Sequence, residues 1–339
     1  MVQSPDEGLL TTCFQEVTGV LPTSIVPLRP HASERRIYRL SHGGTRLVGV
    51  VNPSRAENDA FVALANHFKA NHLPVPTIHA YKPEAGVYLE DDLGEITLLD
   101  FLNTERTRTS EAFPKSVEAV YERVLSFLPR FQIEAAAKLD FSLCLGSGTF
   151  FSETLKKDMR SFCLELVHRL IPQFDTSLLA DDFTTLISYL ERAKGGFFLY
   201  RDFQSRNIML VNNEPFFIDF QSGLKGPLQY DVISLLYQSS ARIPDENRDA
   251  LVEIYLEAVS RYTACDREEF FRYYPAFIIS RMLQVLGVYG REGLGAQKEY
   301  FAKSIPGALT TLHKHLRSKH LAIKLDQILA CSEALLKSA

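Results

Sequence analysis

Asp202, Asn207 and Asp219 carry the clearest chemistry in this 339-residue chain. Asp202 and Asn207 stand five residues apart in YRDFQSRN, and Asp219 follows twelve residues later in FIDF. The apolar runs around them read as strands, and Asn212-Asn213 reads as the turn between two of them. One small hairpin then gathers the three polar groups at one end. Phosphoryl transfer to a hydroxyl asks for such a set. Asp202 would accept or orient the proton of the attacking hydroxyl, while Asn207 and Asp219 would offer an amide and a carboxylate oxygen to a hydrated Mg²⁺ on nucleotide phosphates. A lone D-x4-N pair is common. The weight comes from the IDF that follows, the hairpin between, and the strand-rich segment ahead. Turn and cap roles are the bland alternative, and they leave the joint spacing unexplained.

The surrounding pattern must position these groups. Residues 4–22 read as a helix opening at Ser4-Pro5. Strands follow at SIVPLRP (24–30), RRIYRL (35–40) and TRLVGVV (45–51), with Gly43-Gly44 turning the last pair. Residues 54–71 form a capped amphipathic helix with Phe61, Leu64, Ala65 and Phe68 on one face. GVYLEDDLGEITL (86–98) supplies another strand. Beyond it helices dominate: 114–138 with a break at Pro129, 152–171, 181–193, and a series after the hairpin. The expectation is an α+β protein. A small antiparallel β lobe with one helix (1–93) precedes a larger, mostly helical lobe (94–339) that carries the catalytic and metal-binding loops.

Composition narrows the classes. With 46% hydrophobic and 23% charged residues, the chain can build two cores. A net charge of -4 argues against a nucleic-acid partner, which needs a basic face. The five cysteines show neither CxxC nor zinc spacing and read as reduced thiols. The first residues lack a secretory pattern, and no apolar run approaches a bilayer span, so a soluble cytoplasmic protein without a membrane partner is expected.

YRDFQSRN resembles the H-x-D-x4-N catalytic loop, and IDFQ resembles the metal-binding Asp motif, of the protein-kinase-like fold. HASERRIYRL, LPVP, YLEDDLG and FIDFQSGLKGPLQYDVISLL extend the likeness over most of residues 30–237. Together they resemble the aminoglycoside phosphotransferase family. Within it they are similar to the cell-wall-recycling kinases that phosphorylate the anomeric hydroxyl of N-acetylmuramate and N-acetylglucosamine. The resemblance implies a two-lobed protein-kinase-like fold, ATP or GTP with Mg²⁺, and a small hydroxylated acceptor. An amino sugar is the favoured acceptor, with choline, homoserine, a fructosamine or an aminoglycoside as alternatives.

Two departures stand out. Tyr200 occupies the place of the family His, a packing position that an aromatic can fill. More seriously, no Lys occurs between Val2 and Phe68, so the usual Lys–Glu pair cannot form. Ser33, Arg35, Arg36 and nearby backbone N–H groups are the candidates to grip the phosphates instead. The missing Lys is also the argument for a pseudokinase-like nucleotide-binding module, against which the intact Asp202, Asn207 and Asp219 stand.

The resemblance places the inter-lobe hinge at Leu89 to Asp92, with Glu90 and Asp92 beside the nucleotide and the backbone reading adenine. Glu57 or Asp59 would stand in for the ion-pair Glu, or serve the helix dipole. Gln204 and Arg206 lie in the loop that meets the acceptor. Arg201 is expected to brace the loop through a carboxylate such as Asp231. Asp231 itself should hold the loop's N–H groups and cap the next helix. The run FFRYYPAF (270–277) reads as core, and His313, His315 and His320 as surface residues.

Overall fold

The computed structural model describes residues 4–28, 35–145, 150–151 and 153–338. Ser33 lies outside the described residues. The N-terminal sheet contains β1 (Ser24–Pro27), β2 (Arg36–His42), β3 (Thr45–Val51), β4 (Ile78–Lys82) and β5 (Val87–Asp91). Its spatial order is β1-β2-β3-β5-β4, and every pairing is antiparallel. Gly43 makes the β2–β3 turn at φ +56°, a left-handed conformation that costs glycine nothing.

Alternation along β3 divides the sheet between two cores. Leu47 and Val51 pack under helix α1 (Pro5–Thr18) with Leu10, Cys13 and Phe14. Val48 and Val50 face helix α2 (Arg55–Ala70) with Phe61, Leu64 and Tyr88. Ser4 opens α1 with a reciprocal capping box to Glu7, and Gly19, at φ +78°, closes it earlier than the hydrophobic pattern suggested.

The helical lobe opens with α3 (Leu98–Thr109) and α4 (Lys115–Pro129). Pro129 ends α4, and the chain widens into a π-type turn at Arg130–Glu134. Next comes α5 (Glu153–Ser161), which runs through a second π-type turn, Phe162–Val167, into α6 (His168–Leu170), followed by α7 (Ala180–Leu190). The strands β6 (Phe197–Leu199), β7 (Ile208–Val211), β8 (Glu214–Phe217) and β9 (Leu224–Gly226) form two small ribbons, β6 with β9 and β7 with β8. Asn212 and Asn213, at φ +53° and +66°, make the β7–β8 turn. The chain continues through α8 (Gln229–Leu236), α9 (Asp245–Ser260), α10 (Arg267–Tyr289), α11 (Glu299–Ala302), α12 (Ile305–Leu316) and α13 (Asp326–Ser338). This is the two-lobed protein-kinase-like architecture.

An aromatic cluster joins the lobes. Phe220, next to Asp219, stacks on Phe61 of α2 with centroids 5.0 Å apart and ring planes 6° from parallel. Phe68 of α2 meets Phe131, Phe198 and Phe220 edge-on. Such contacts add about 0.5–1.5 kcal/mol per pair beyond area burial, and they fix α2 against the site hairpin. Residues Phe270, Tyr273, Tyr274, Ala276 and Phe277 are core, as their pattern suggests. His313 and His315 differ from expectation. His313 bonds the Ser332 hydroxyl at 3.1 Å, and His315 packs edge-on to Tyr237. Among the described residues no helix is long and apolar enough to cross a membrane.

Candidate active site

The segment before β2, α2, α3, the loops around the β7–β8 hairpin, and α5, α10 and α11 line a cleft of about 690 Å³ between the lobes. Asp202, Asn207 and Asp219 all line it, with Arg35, Glu57, Gln204 and Arg206. Asn207 Nδ2 donates to the Asp202 carbonyl at 2.8 Å, which leaves the amide oxygen as the group to meet a cation. Asn207 N–H also turns back to the Gln204 carbonyl at 2.8 Å. Gln204 Nε2 lies 3.5 Å from the Asp202 carboxylate.

The catalytic loop hangs on Asp231. Its carboxylate accepts the Tyr200 and Arg201 N–H groups, each at 2.8 Å, and the Gln132 side-chain amide at 3.1 Å. Burial pushes this carboxyl up to about 7, against the pull of those three donors. Asp231 sits in the first turn of α8, whose N-cap is Leu228, so it anchors the loop without capping the helix. Tyr255 completes the support, donating to Gln132 Oε1 at 2.6 Å. Gln238 receives both the N–H and the hydroxyl of Ser205, at 2.9 and 2.7 Å. These partners hold Arg201 at φ +72°, a left-handed conformation unusual for arginine. The Arg201 side chain turns to Asp158 of α5 at 2.9 Å, while Asp231 takes only its N–H.

Arg35 forms the bridge that the missing Lys would have made. It donates through Nε to Glu57 at 3.0 Å and through Nη1 to Asp219 at 2.8 Å. The β3 positions facing α2, Val48 and Val50, are apolar. The cation therefore comes from the residue just before β2, and Glu57 rather than Asp59 is its α2 partner. Asp59 instead accepts from the Tyr81 hydroxyl. Arg36 lies apart from this cluster, because strand alternation turns it to Asp6 of α1, with Nη2 at 3.0 Å. Asp219, like Arg201, is left-handed, at φ +66°. Gln221, two residues on, places its amide nitrogen 3.4 Å from Glu57 and 3.5 Å from Asp219.

At the segment expected to be the hinge, Asp92 is occupied by Arg39, at 2.7 and 3.0 Å, and Asp91 by His79 and the Thr77 N–H. Glu90 is different. Its Oε2 is buried with no hydrogen-bond partner among the described residues, and burial pushes the carboxyl up to about 8 despite the nearby Arg35.

The far wall of the cleft holds residues that no sequence signal points to. Asp158 and Ser161 come from α5, Arg281, Gln284 and Val288 from α10, and Tyr300 and Phe301 from α11. Arg206 lies over the Phe301 ring, 5.7 Å from its centroid, and has no carboxylate partner among the described residues. Their positions depend on which helices fold back over the loop, and only Arg206 belongs to a recognisable motif.

The donor set suits a hard divalent cation. Asn207 and Asp219 offer one amide and one carboxylate oxygen, as a Mg²⁺ that keeps waters and binds phosphates requires. Among the described residues no group of three or more His, Cys, Asp or Glu is placed to hold a metal, so a tightly caged ion does not fit this site.

Residues 24–271 match the profile of the phosphotransferase enzyme family, APH. The chain belongs to that family. It is a small-molecule kinase, a phosphotransferase acting on a hydroxyl. A curated relative is the N-acetylmuramate/N-acetylglucosamine kinase of Pseudomonas aeruginosa, 27% identical over 281 residues, covering 80% of this chain and 78% of that kinase. Among solved structures, the choline kinase LicA from Streptococcus pneumoniae superposes with a TM-score of 0.64 at 12% identity, covering 92% of this chain and all of that one. An amicoumacin kinase, hAmiN, solved in complex with AMP-PNP, Ca²⁺ and Ami, gives a TM-score of 0.64 at 11% identity and covers 95% of this chain and 97% of that one.

Proposed function

We propose that this kinase transfers the γ-phosphoryl group of ATP to a hydroxyl of an amino sugar of the N-acetylmuramate/N-acetylglucosamine type, the anomeric hydroxyl being the favoured site. The observation that carries the reading is the acceptor side of the cleft. Arg206, which has no carboxylate partner among the described residues, lies over an aromatic face, Phe301, beside Tyr300. Aromatic faces suit a pyranose ring, and an unpaired guanidinium suits an acceptor carboxylate. A choline-type cation would find Arg206 repulsive. The sugar-kinase relatives, matched over about four-fifths of this chain, support the same class.

In this reading the acceptor hydroxyl approaches Asp202, which receives or orients its proton. Arg35, held by Glu57, neutralises phosphate charge in place of the absent Lys. Asn207 and Asp219 hold Mg²⁺, which when bound neutralises charge on the phosphates. The hinge from Leu89 to Asp92 offers backbone groups to the base, while Gln204 and Arg206 meet the acceptor. Catalysis rests on positioning and charge compensation. The test is Mg²⁺-dependent ATP consumption with N-acetylmuramate, N-acetylglucosamine, other hexoses, choline and an aminoglycoside, with Asp202→Ala in parallel. Turnover on an amino sugar that disappears in the variant is the expected result. Turnover on choline alone would overturn the reading.

A further inference from the structure

Asp158 lines the cleft from α5 and is 9% exposed. One of its oxygens, Oδ1, accepts from Arg201 Nη2 at 2.9 Å. The other, Oδ2, is buried and has no hydrogen-bond partner among the described residues. A desolvated carboxylate oxygen without a donor is costly, and such a group in a cleft points to a ligand that completes it.

Helix packing holds the side chain there. A methyl group added to Gly287 of α10 would lie 2.8 Å from Ser161 Oγ and 2.9 Å from Phe162 N, and one on Gly290 would lie 2.3 Å from the Glu165 carbonyl. Glycine at both positions lets α10 and the π-type turn that follows it (Gly290–Gly295) press directly on the end of α5 and the turn after it. Asp158 and Ser161 of α5 thereby share the cleft with Gln284 and Val288 of α10.

Charge decides what kind of donor Oδ2 awaits. Asp158 and Asp202 supply two carboxylates here, and Arg201 and Arg281 supply two guanidinium groups. Arg281 is 2% exposed and fixed by Gln284 Oε1 at 2.7 Å, with the Tyr230 hydroxyl 3.3 Å away. The four groups that act on one another around Asp158 are balanced, so an ammonium donor would leave an excess of positive charge beside them. A neutral hydroxyl would satisfy the oxygen without that penalty.

We propose that Asp158 is a specificity-determining residue whose Oδ2 accepts a hydrogen bond from an acceptor hydroxyl other than the one phosphorylated. This rests on the small-molecule kinase assignment and deepens the proposed function, since it calls for an acceptor with at least two hydroxyls. Asp202 addresses the reacting hydroxyl and Asp158 a second one, which fixes the acceptor at two points.

The experiment compares wild type and Asp158→Asn on the best acceptor of the panel above and on its monodeoxy analogues. The variant keeps an oxygen for Arg201 while a nitrogen donor can replace the bare acceptor atom. The expected result is an acceptor KM raised by about tenfold or more with the ATP KM little changed. One monodeoxy analogue should lose a similar factor with wild type and much less with the variant. A fall in kcat with both KM values unchanged would make Asp158 a support for Arg201 alone and overturn the proposal. Wild-type kinetics keep the question decidable if the variant does not fold. Should no monodeoxy analogue lose more than about threefold in kcat/KM, no second hydroxyl is bound and the proposal fails. Turnover confined to acceptors with a single hydroxyl would overturn it as well. Turnover of a hexose but no amino sugar would sink the amino-sugar reading, and Asp158 would then be judged on the hexose and its deoxy forms.

Discussion

The Tyr200 hydroxyl donates to the Ile218 carbonyl at 2.6 Å, tying the start of the catalytic loop to the residue before Asp219. Tyr200 is wholly buried, and its ring meets Phe131, Phe203 and Phe220 edge-on. The loop that carries Asp202 and the loop that carries Asp219 are therefore tied together directly. Tyr200→Phe keeps the packing and removes the tie. It should cost about 1 kcal/mol of stability, with a further penalty if the Ile218 carbonyl finds no other donor. A drop in kcat of about three- to tenfold, with little change in either KM, is expected for a slackened pair of loops. Urea unfolding and steady-state kinetics check both numbers. Unchanged kcat would show that packing alone aligns the loops.

Arg35 bridges Glu57 and Asp219, and its side chain is 11% exposed. Arg35→Ala leaves two carboxylates facing one another in a semi-enclosed site. Breaking a buried pair from one side costs about 3–5 kcal/mol. If Arg35 meets the phosphates as proposed, the ATP kcat/KM should fall by about a hundredfold or more. Arg35→Lys should recover only part of the loss, since an ammonium cannot reproduce the fork that meets both carboxylates. Glu57→Gln combined with Arg35→Ala should cost far less than the sum of the two single changes, which a double-mutant cycle measures. Strict additivity would mean that the two residues act separately.

The hairpin and its three polar groups are legible in the sequence because strand alternation, an Asn-Asn turn and fixed spacing are all local signals. The β2–β3 turn and the cap of α2 are legible for the same reason. The Arg35–Glu57 bridge is only half so. The lack of a lysine shows that something must substitute, but the partner depends on how β2 lies against α2. Arg36 illustrates the cost of a one-residue step, for alternation sends it to Asp6 on the far side. Asp158 gives no signal at all in LKKDMR, a stretch that reads as a solvated helix face. Its burial follows from α10 packing on the end of α5 at Gly287, and the turn after α10 packing on the turn after α5 at Gly290, contacts between segments more than a hundred residues apart.

Glu90 predicts a pH dependence. Its carboxyl rises from an ordinary 4.5 to about 8 in the folded state, chiefly through burial. Below about pH 4.5 it is protonated in both states, and between about 4.5 and 8 only the unfolded chain gives up the proton. Its contribution is thus fully present in acid and is lost as the pH rises towards 8, by about 5 kcal/mol in all. Glu90→Gln removes this slope. Relative to wild type, the variant should gain stability from pH 5 to about pH 8 in matched urea titrations and level off above that. A constant difference across that range would show that Glu90 ionises normally in the folded protein.

Gly290→Ala tests whether the acceptor wall depends on close helix contact. Alanine is favoured over glycine by up to about 1 kcal/mol in a helix interior, so propensity alone predicts a modest gain. The added methyl would lie 2.3 Å from the Glu165 carbonyl and 2.6 Å from its carbon, both of them backbone atoms that cannot rotate away. Overpacking of that kind costs about 1–3 kcal/mol, enough to outweigh the propensity gain. The variant should melt lower than wild type. Because α10 and the turn after α5 must part, the acceptor KM should rise while the ATP KM stays near wild type, since Arg35, Asn207 and Asp219 lie on other elements. Equal increases in both KM values would mean that the strain spreads through the aromatic cluster to the hairpin instead of staying in the acceptor wall.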